Sequence, residues 1–168
     1  TTAETKNRMR GWKSMLDESI LCMKEDIIKS VQGAIRIKSV EDTAKEGMPF
    51  GEGVQAVLEY CLRLSESLGF KTVNVDHMIG YAEYGQGDEM VAVLGHLDVV
   101  PEGDGWTYPP YAAEIHHGKI YGRGAPDDKG PTIGALYALK AIKDLKLPLK
   151  RRVRIFFGLN EETGSKCV

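Results

Sequence analysis

The sequence predicts a three-layer α/β domain on a mostly parallel sheet. Three observations carry that expectation. Helical segments with a single apolar face alternate with short runs of strand length. The run MVAVLG, residues 90–95, is apolar throughout, as in a strand covered on both faces. Two of the apolar runs end in polar clusters, where open α/β sheets place their sites. A chain of 168 residues suits one domain and is long enough to bury a real core.

The elements follow in order. From Ser14, the apolar positions Leu16, Ile20, Met23, Ile27 and Val31 recur at steps of three and four, which makes a one-faced helix. The polar start TTAETKNRMR has no signal-peptide apolar region and reads as a flexible arm over residues 1–13, leaving 14–168 as the domain. KSVEDTAKEGMPFGEG is a loop without periodicity. Val54, Val57, Leu58, Cys61, Leu62 and Leu68 then share one side of a second helix, closed by Gly69. FKTVNVD and MIGYAEYG read as strands, with GQGD as the turn that follows them. After MVAVLG, AAEIHHGKIYG reads as a hairpin turning near His117 and Gly118. Pro131 suits a first helical turn, Ile133, Leu136, Tyr137, Leu139 and Ile142 continue that helix, and Pro148 stops it. RVRIFFGLN is the last strand.

Charge excludes little but points away from polyanions: 22 basic and 24 acidic side chains leave a net −2. The basic concentration at Lys140, Lys143, Lys146, Lys150, Arg151, Arg152 and Arg154 reads as a solvated helix end followed by a strand entry, so no nucleic-acid partner is expected. Cys22, Cys61 and Cys167 form neither a disulfide framework nor a CxxC site, which favours a reducing, cytoplasmic setting. No apolar run approaches the roughly 20 residues that span a bilayer, so no membrane association is expected.

Three polar clusters carry the chemistry. In GHLDVVPEGDGW, His96 and Asp98 are two residues apart on an extended segment and point the same way. A carboxylate there can fix the imidazole tautomer of a metal-bound histidine, or the pair simply caps a strand. In YGRGAPDDKGP, Asp127 and Asp128 repel one another unless neutralised, by Lys129 or by a divalent cation that a carboxylate bridges. The glycines there match no phosphate-binding pattern. In GLNEETGS, Glu161 and Glu162 follow an apolar strand, and both can face one site only if the backbone turns. One nitrogen and several oxygens suit a pair of Zn²⁺ or Mn²⁺ ions better than a structural zinc, which prefers thiolates.

GHLDVVPEGDGW, YGRGAPDDKGP and NEETGS, in this order and spacing, resemble the M20 family of di-metal peptidases and deacylases, and within it the PepV-type dipeptidase branch. The resemblance runs from the first helix to the last residue. It implies an α/β/α metallopeptidase-type catalytic domain with a mostly parallel mixed sheet, truncated before the lid domain. It implies that His96 binds one metal, Glu162 the other, and Asp127 bridges both. Glu161 becomes the catalytic carboxylate, Asp98 the residue that orients His96, and Asp128 a neighbour that shapes the loop. The ions are two divalent metals, Zn²⁺ first, with Mn²⁺ or Co²⁺ as alternatives.

The reaction implied is hydrolysis of a dipeptide amide bond by a metal-activated water, with Glu161 carrying the proton to the leaving amine. The family draws a further acidic ligand, a late histidine and a lid from a second half that these residues do not include. Short of the usual three protein ligands per catalytic metal, the 168-residue form is expected to bind metal weakly and to lack useful turnover. It then reads as a cleaved or truncated polypeptide or the product of a degraded gene, in need of its C-terminal half or a self-association partner. Rival readings are an N-acyl amino acid deacylase of the same family, a non-catalytic remnant and, more distantly, a di-metal phosphoesterase. His77, His116 and His117 read as turn or surface residues.

Overall fold

Helix formation begins earlier than apolar periodicity indicates. The structure, a computed structural model, describes residues 3–167. Ala3–Cys22 form α1 and Lys24–Ile35 form α2. Residues 3–13, expected as a flexible arm, are therefore helical in the structure; Thr1 and Thr2 lie outside the described residues. Ala3, Glu4, Lys6, Arg8, Met9 and Arg10 are good helix formers, and no proline intervenes. The single helix expected from Ser14 is interrupted at Met23 (φ −91°, ψ 4°), whose N–H is shared between Ser19 O and Ile20 O at 3.3 and 3.1 Å.

An irregular segment leads to α3, Glu52–Ser67. Gly69, at φ +82°, closes it as expected: Gly69 N donates to Glu66 O (2.9 Å) and Phe70 N to Ser65 O (3.1 Å), which satisfies two helix-end carbonyls. Next come β1 (Lys71–Val75), β2 (Ile79–Tyr84) and β3 (Met90–His96). A small hairpin follows, β4 (Glu114–His116) and β5 (Lys119–Tyr121), turning at His117 and Gly118. Helix α4 spans Lys129–Asp144, and β6 spans Arg152–Gly158.

The main sheet is mixed, with order β1-β2-β6-β3. Its parallel pair is β3–β6; β1–β2 and β2–β6 are antiparallel. One face carries the helices. A Cβ on Gly80 of β2 would meet Leu58 and Leu62 of α3, and one on Gly95 of β3 would meet Thr132 of α4. Since Gly80 pairs with Phe157 and Phe157 with Gly95, α3 and α4 lie on the same face. Helices α1 and α2 pack behind α4. The core between them holds Ile35, Val54, Leu58, Cys61, Ile133, Leu136, Ile155 and Phe157, all buried.

The opposite face has no helix on it among the described residues. Val73, Val75 and Leu94 point there and are exposed, Leu94 by 63%. MVAVLG, expected to be covered on both faces, is an edge strand instead, and Met90, Val91 and Val93 are exposed as well.

Much of the basic stretch is paired. Lys140 and Lys143 meet Asp144, Arg151 meets Glu89, and Arg152 and Arg154 meet Glu83.

Candidate metal centre

Parallel pairing of β3 with β6 sets His96 opposite Gly158, so the polar clusters that follow these strands leave the sheet at one edge. Leu97 N continues the ladder to Gly158 O at 2.8 Å. The third cluster is brought in by α4. Gly95 has no side chain, and a Cβ there would lie 2.1 Å from Thr132 Oγ1. This close approach sets the first turn of α4, and the Asp127–Asp128 loop before it, against the end of β3. Asp128 Oδ2 accepts from His96 N (3.3 Å) and Thr132 Oγ1 (2.9 Å). The Asp127–Asp128 peptide is cis.

His96 Nε2 is 3.1 Å from Asp127 Oδ1 and 3.7 Å from Glu161 Oε2. One donor atom each from His96, Asp127 and Glu162 falls within 4.8 Å of the others. Asp98 is buried and holds two corners at once. Its Oδ1 accepts from Glu161 N (3.1 Å) and its Oδ2 from Glu162 N (3.0 Å). Here is the backbone turn that the adjacent glutamates require. His96 Nδ1 lies 3.1 Å from the Asp98 carbonyl and 3.5 Å from its carboxylate, leaving Nε2 to face Asp127 and Glu161.

Electrostatics follow from this crowding. Burial opposes charge on His96, but the hydrogen bonds and charge of Asp98, helped by Asp127, outweigh it and push its pKa up to about 9. Burial also opposes charge on Asp98, yet its bonds from His96 and from the Glu162 and Glu161 N–H groups hold it below its ordinary value. Glu162 is raised, first by burial and then by the negative neighbours Asp127, Asp98 and Glu161, with His96 opposing. A metal-free centre of this kind holds excess negative charge that a cation would relieve.

Lys129 does not neutralise the aspartate pair. Its side chain turns into the core, fully buried, and donates to Ala34 O (3.1 Å) and Ile37 O (2.8 Å). Burial lowers its pKa to about 8 against the opposing influence of Cys61 and Asp98.

Sequence reasoning also missed Glu41, Ser39 and Asn160. Asn160 is buried and donates to Glu41 Oε2 (3.2 Å) and Thr163 Oγ1 (2.6 Å), while its Oδ1 accepts from Lys166 N (3.1 Å). Glu41 and Ser39 sit in a loop without periodicity, so pattern alone gave no sign of them. His77, His116 and His117 stay outside the centre; His116 stacks on Tyr108 and pairs with Glu114.

The donor set fits divalent cations. Two donors bound to one zinc at ~2.1 Å and a tetrahedral angle stand roughly 3.4 Å apart, close to the 3.1 Å between His96 and Asp127. His96, Asp127 and Glu162 would hold the ions.

A mixed α/β sheet here brings one imidazole and several carboxylates to one edge, a donor set of the kind that suits divalent cations. Comparison with known proteins narrows the class. Residues 92–168 match the model of peptidase family M20/M25/M40. The chain is 53% identical over 151 residues to the "Putative dipeptidase YtjP" of Bacillus subtilis (strain 168), an alignment covering 89% of this chain and 33% of that protein. Human carnosine dipeptidase 1 superposes with a TM-score of 0.77 at 23% identity, over 94% of this chain and 36% of that one. The M20 family metallo-carboxypeptidase Sso-CP2 of Sulfolobus solfataricus superposes at 0.69 and 26% identity, over 83% and 32%. This chain belongs to the M20 peptidase family. It spans about a third (33%) of the length of the curated relatives it matches.

Proposed function

We propose that this chain forms the metal-binding part of a dipeptidase that hydrolyses the amide bond of short peptides. The observation that supports this most is the gathering of His96, Asp127 and Glu162 donors within 4.8 Å, beside the largely exposed carboxylate of Glu161. In this reading His96, Asp127 and Glu162 would hold the divalent ions. Bound ions would supply Lewis acidity and a water nucleophilic near neutral pH.

The chain's own residues do the rest. Asp98 fixes His96 so that Nε2 faces the centre, and it fixes the Glu161–Glu162 turn. Glu161, 57% exposed and 3.7 Å from His96 Nε2, is free to take a proton at Oε2 and return it to the departing amine. Zn²⁺ is the leading ion, with Mn²⁺ and Co²⁺ as alternatives. No described helix is long and apolar enough to cross a membrane, and Cys22, Cys61 and Cys167 are free thiols, in keeping with work in a reducing, cytoplasmic setting. Dipeptidase names among the relatives favour dipeptides over N-acyl amino acids.

The test uses this chain and a polypeptide of its relatives' length that contains it. Glu161→Ala in the longer form is expected to lower dipeptide hydrolysis by at least about a hundredfold while metal content holds. The 168-residue chain alone is expected to bind metal weakly and turn over nothing measurable. Near-normal rates in Glu161→Ala would remove Glu161 as the proton carrier. Faster cleavage of N-acyl amino acids than of dipeptides would assign the deacylase reading instead.

A further inference from the structure

The irregular segment after α2 touches all three corners of the centre, through Ile37, Ser39 and Glu41. Ile37 O accepts from Lys129 Nζ (2.8 Å), and Lys129 opens the helix that follows Asp127. Ser39 holds the β3 exit twice: its Oγ donates to Leu97 O (2.7 Å), and its carbonyl accepts from Val99 N (3.0 Å), on either side of Asp98. Glu41 accepts from Asn160 Nδ2 (3.2 Å) and from Thr163 Oγ1, so it grips the loop that carries Glu161 and Glu162. Lys38, its side chain 55% exposed, reaches Glu102 instead, at 2.7 Å.

We infer that residues 37–41 are a positioning strap that sets the spacing of the His96, Asp127 and Glu161–Glu162 corners, with Ser39, Glu41 and Lys129 as its positioning residues. None of the three supplies a donor to the centre. They act through backbone and loop: each corner is held to one short stretch of chain, and the corners are thereby held to one another. This inference rests on the metal reading above. Partners outside a metal's own ligands commonly alter its affinity by about 10–100-fold.

Co²⁺ alone, titrated into the 168-residue chain, tests this through the visible absorption of the bound ion, which reports coordination geometry. Glu41→Ala and Ser39→Ala are each expected to weaken Co²⁺ binding by about tenfold and to change the spectrum, while circular dichroism stays that of the parent. Lys38→Ala, in the same strap but facing outward, is expected to change neither. Binding is also expected to slow amide hydrogen exchange over residues 37–41, since coupling is reciprocal. That measurement needs no variant, so it decides the matter even if Ser39→Ala fails to fold. Parent-like affinity and spectrum in Glu41→Ala, or equal damage in Lys38→Ala, would overturn the strap while leaving the centre standing. Failure of both this chain and the longer form that contains it to bind Co²⁺ would remove the metal reading, and the strap's purpose with it.

Discussion

Asp98 is the residue on which the centre turns, because one buried carboxylate serves two clients. It raises His96 to about 9, and it accepts the N–H groups of both glutamates. The linkage has a definite sign. A histidine whose pKa is raised in the folded state stabilises the fold below its ordinary value of 6.5, and that contribution fades as pH climbs toward 9. Its ceiling is roughly 3 kcal/mol. The metal-free chain is therefore expected to lose urea stability between pH 6 and pH 9. Asp98→Asn should flatten this slope, since an amide carries no charge and offers one acceptor oxygen where the carboxylate offers two. Nuclear magnetic resonance titration of His96 checks the cause: its pKa in Asp98→Asn should fall back toward that of a free imidazole. An unchanged His96 titration would mean that Asp98 is not what holds the proton.

At the scale of elements, the centre depends on how closely α4 can approach the end of β3, and Gly95 decides that. A methyl group at Gly95 would sit 2.1 Å from Thr132 Oγ1 and 2.9 Å from Asp128 Oδ2. Gly95→Ala is expected to cost about 1–3 kcal/mol by overpacking and to weaken Co²⁺ binding by moving Asp127 relative to His96. Thr132→Ala added to Gly95→Ala should restore part of both, a non-additivity that a double-mutant cycle measures. Additive losses would show that the two sites do not share this contact. Most elements were legible in the sequence, because the apolar spacing of Val54 to Leu68 and of Ile133 to Ile142 can suit only a helix. Two of the three candidate-site motifs were legible by position too, since each follows an apolar strand, whereas the Asp127–Asp128 loop stood out by its adjacent carboxylates. Lys129 was not. Whether its ammonium reaches Asp127 or the carbonyls of Ala34 and Ile37 depends on how two helices pack, and no local pattern encodes that. The strap was hidden for the same reason: Ser39 and Glu41 matter through partners about 60 and 120 residues away (58 to Leu97, 119 to Asn160).

For the whole molecule, the uneven treatment of the two sheet faces has consequences beyond the centre. The helix-bearing face buries Ile155 and Phe157, whereas the other presents Val73, Val75 and Leu94 beside the Tyr81–Phe156 ring pair. Strand composition did not distinguish these environments, because β3 is apolar on both faces and reads as buried whichever side is covered. An apolar face next to the unpaired edge of β3 favours association, by face contact or by strand addition. Ion pairs of Glu83 with Arg152 and Arg154 interrupt the face at one end, so its apolar part lies toward Val75, Ile79 and Leu94. The 168-residue chain is expected to associate with rising concentration in sedimentation velocity and to bind a hydrophobic dye. Leu94→Lys should reduce both without lowering the thermal midpoint, since Leu94 is 63% exposed and little packing is lost. A chain that stays monomeric and dye-free at high concentration would show that this face is better solvated than its composition implies.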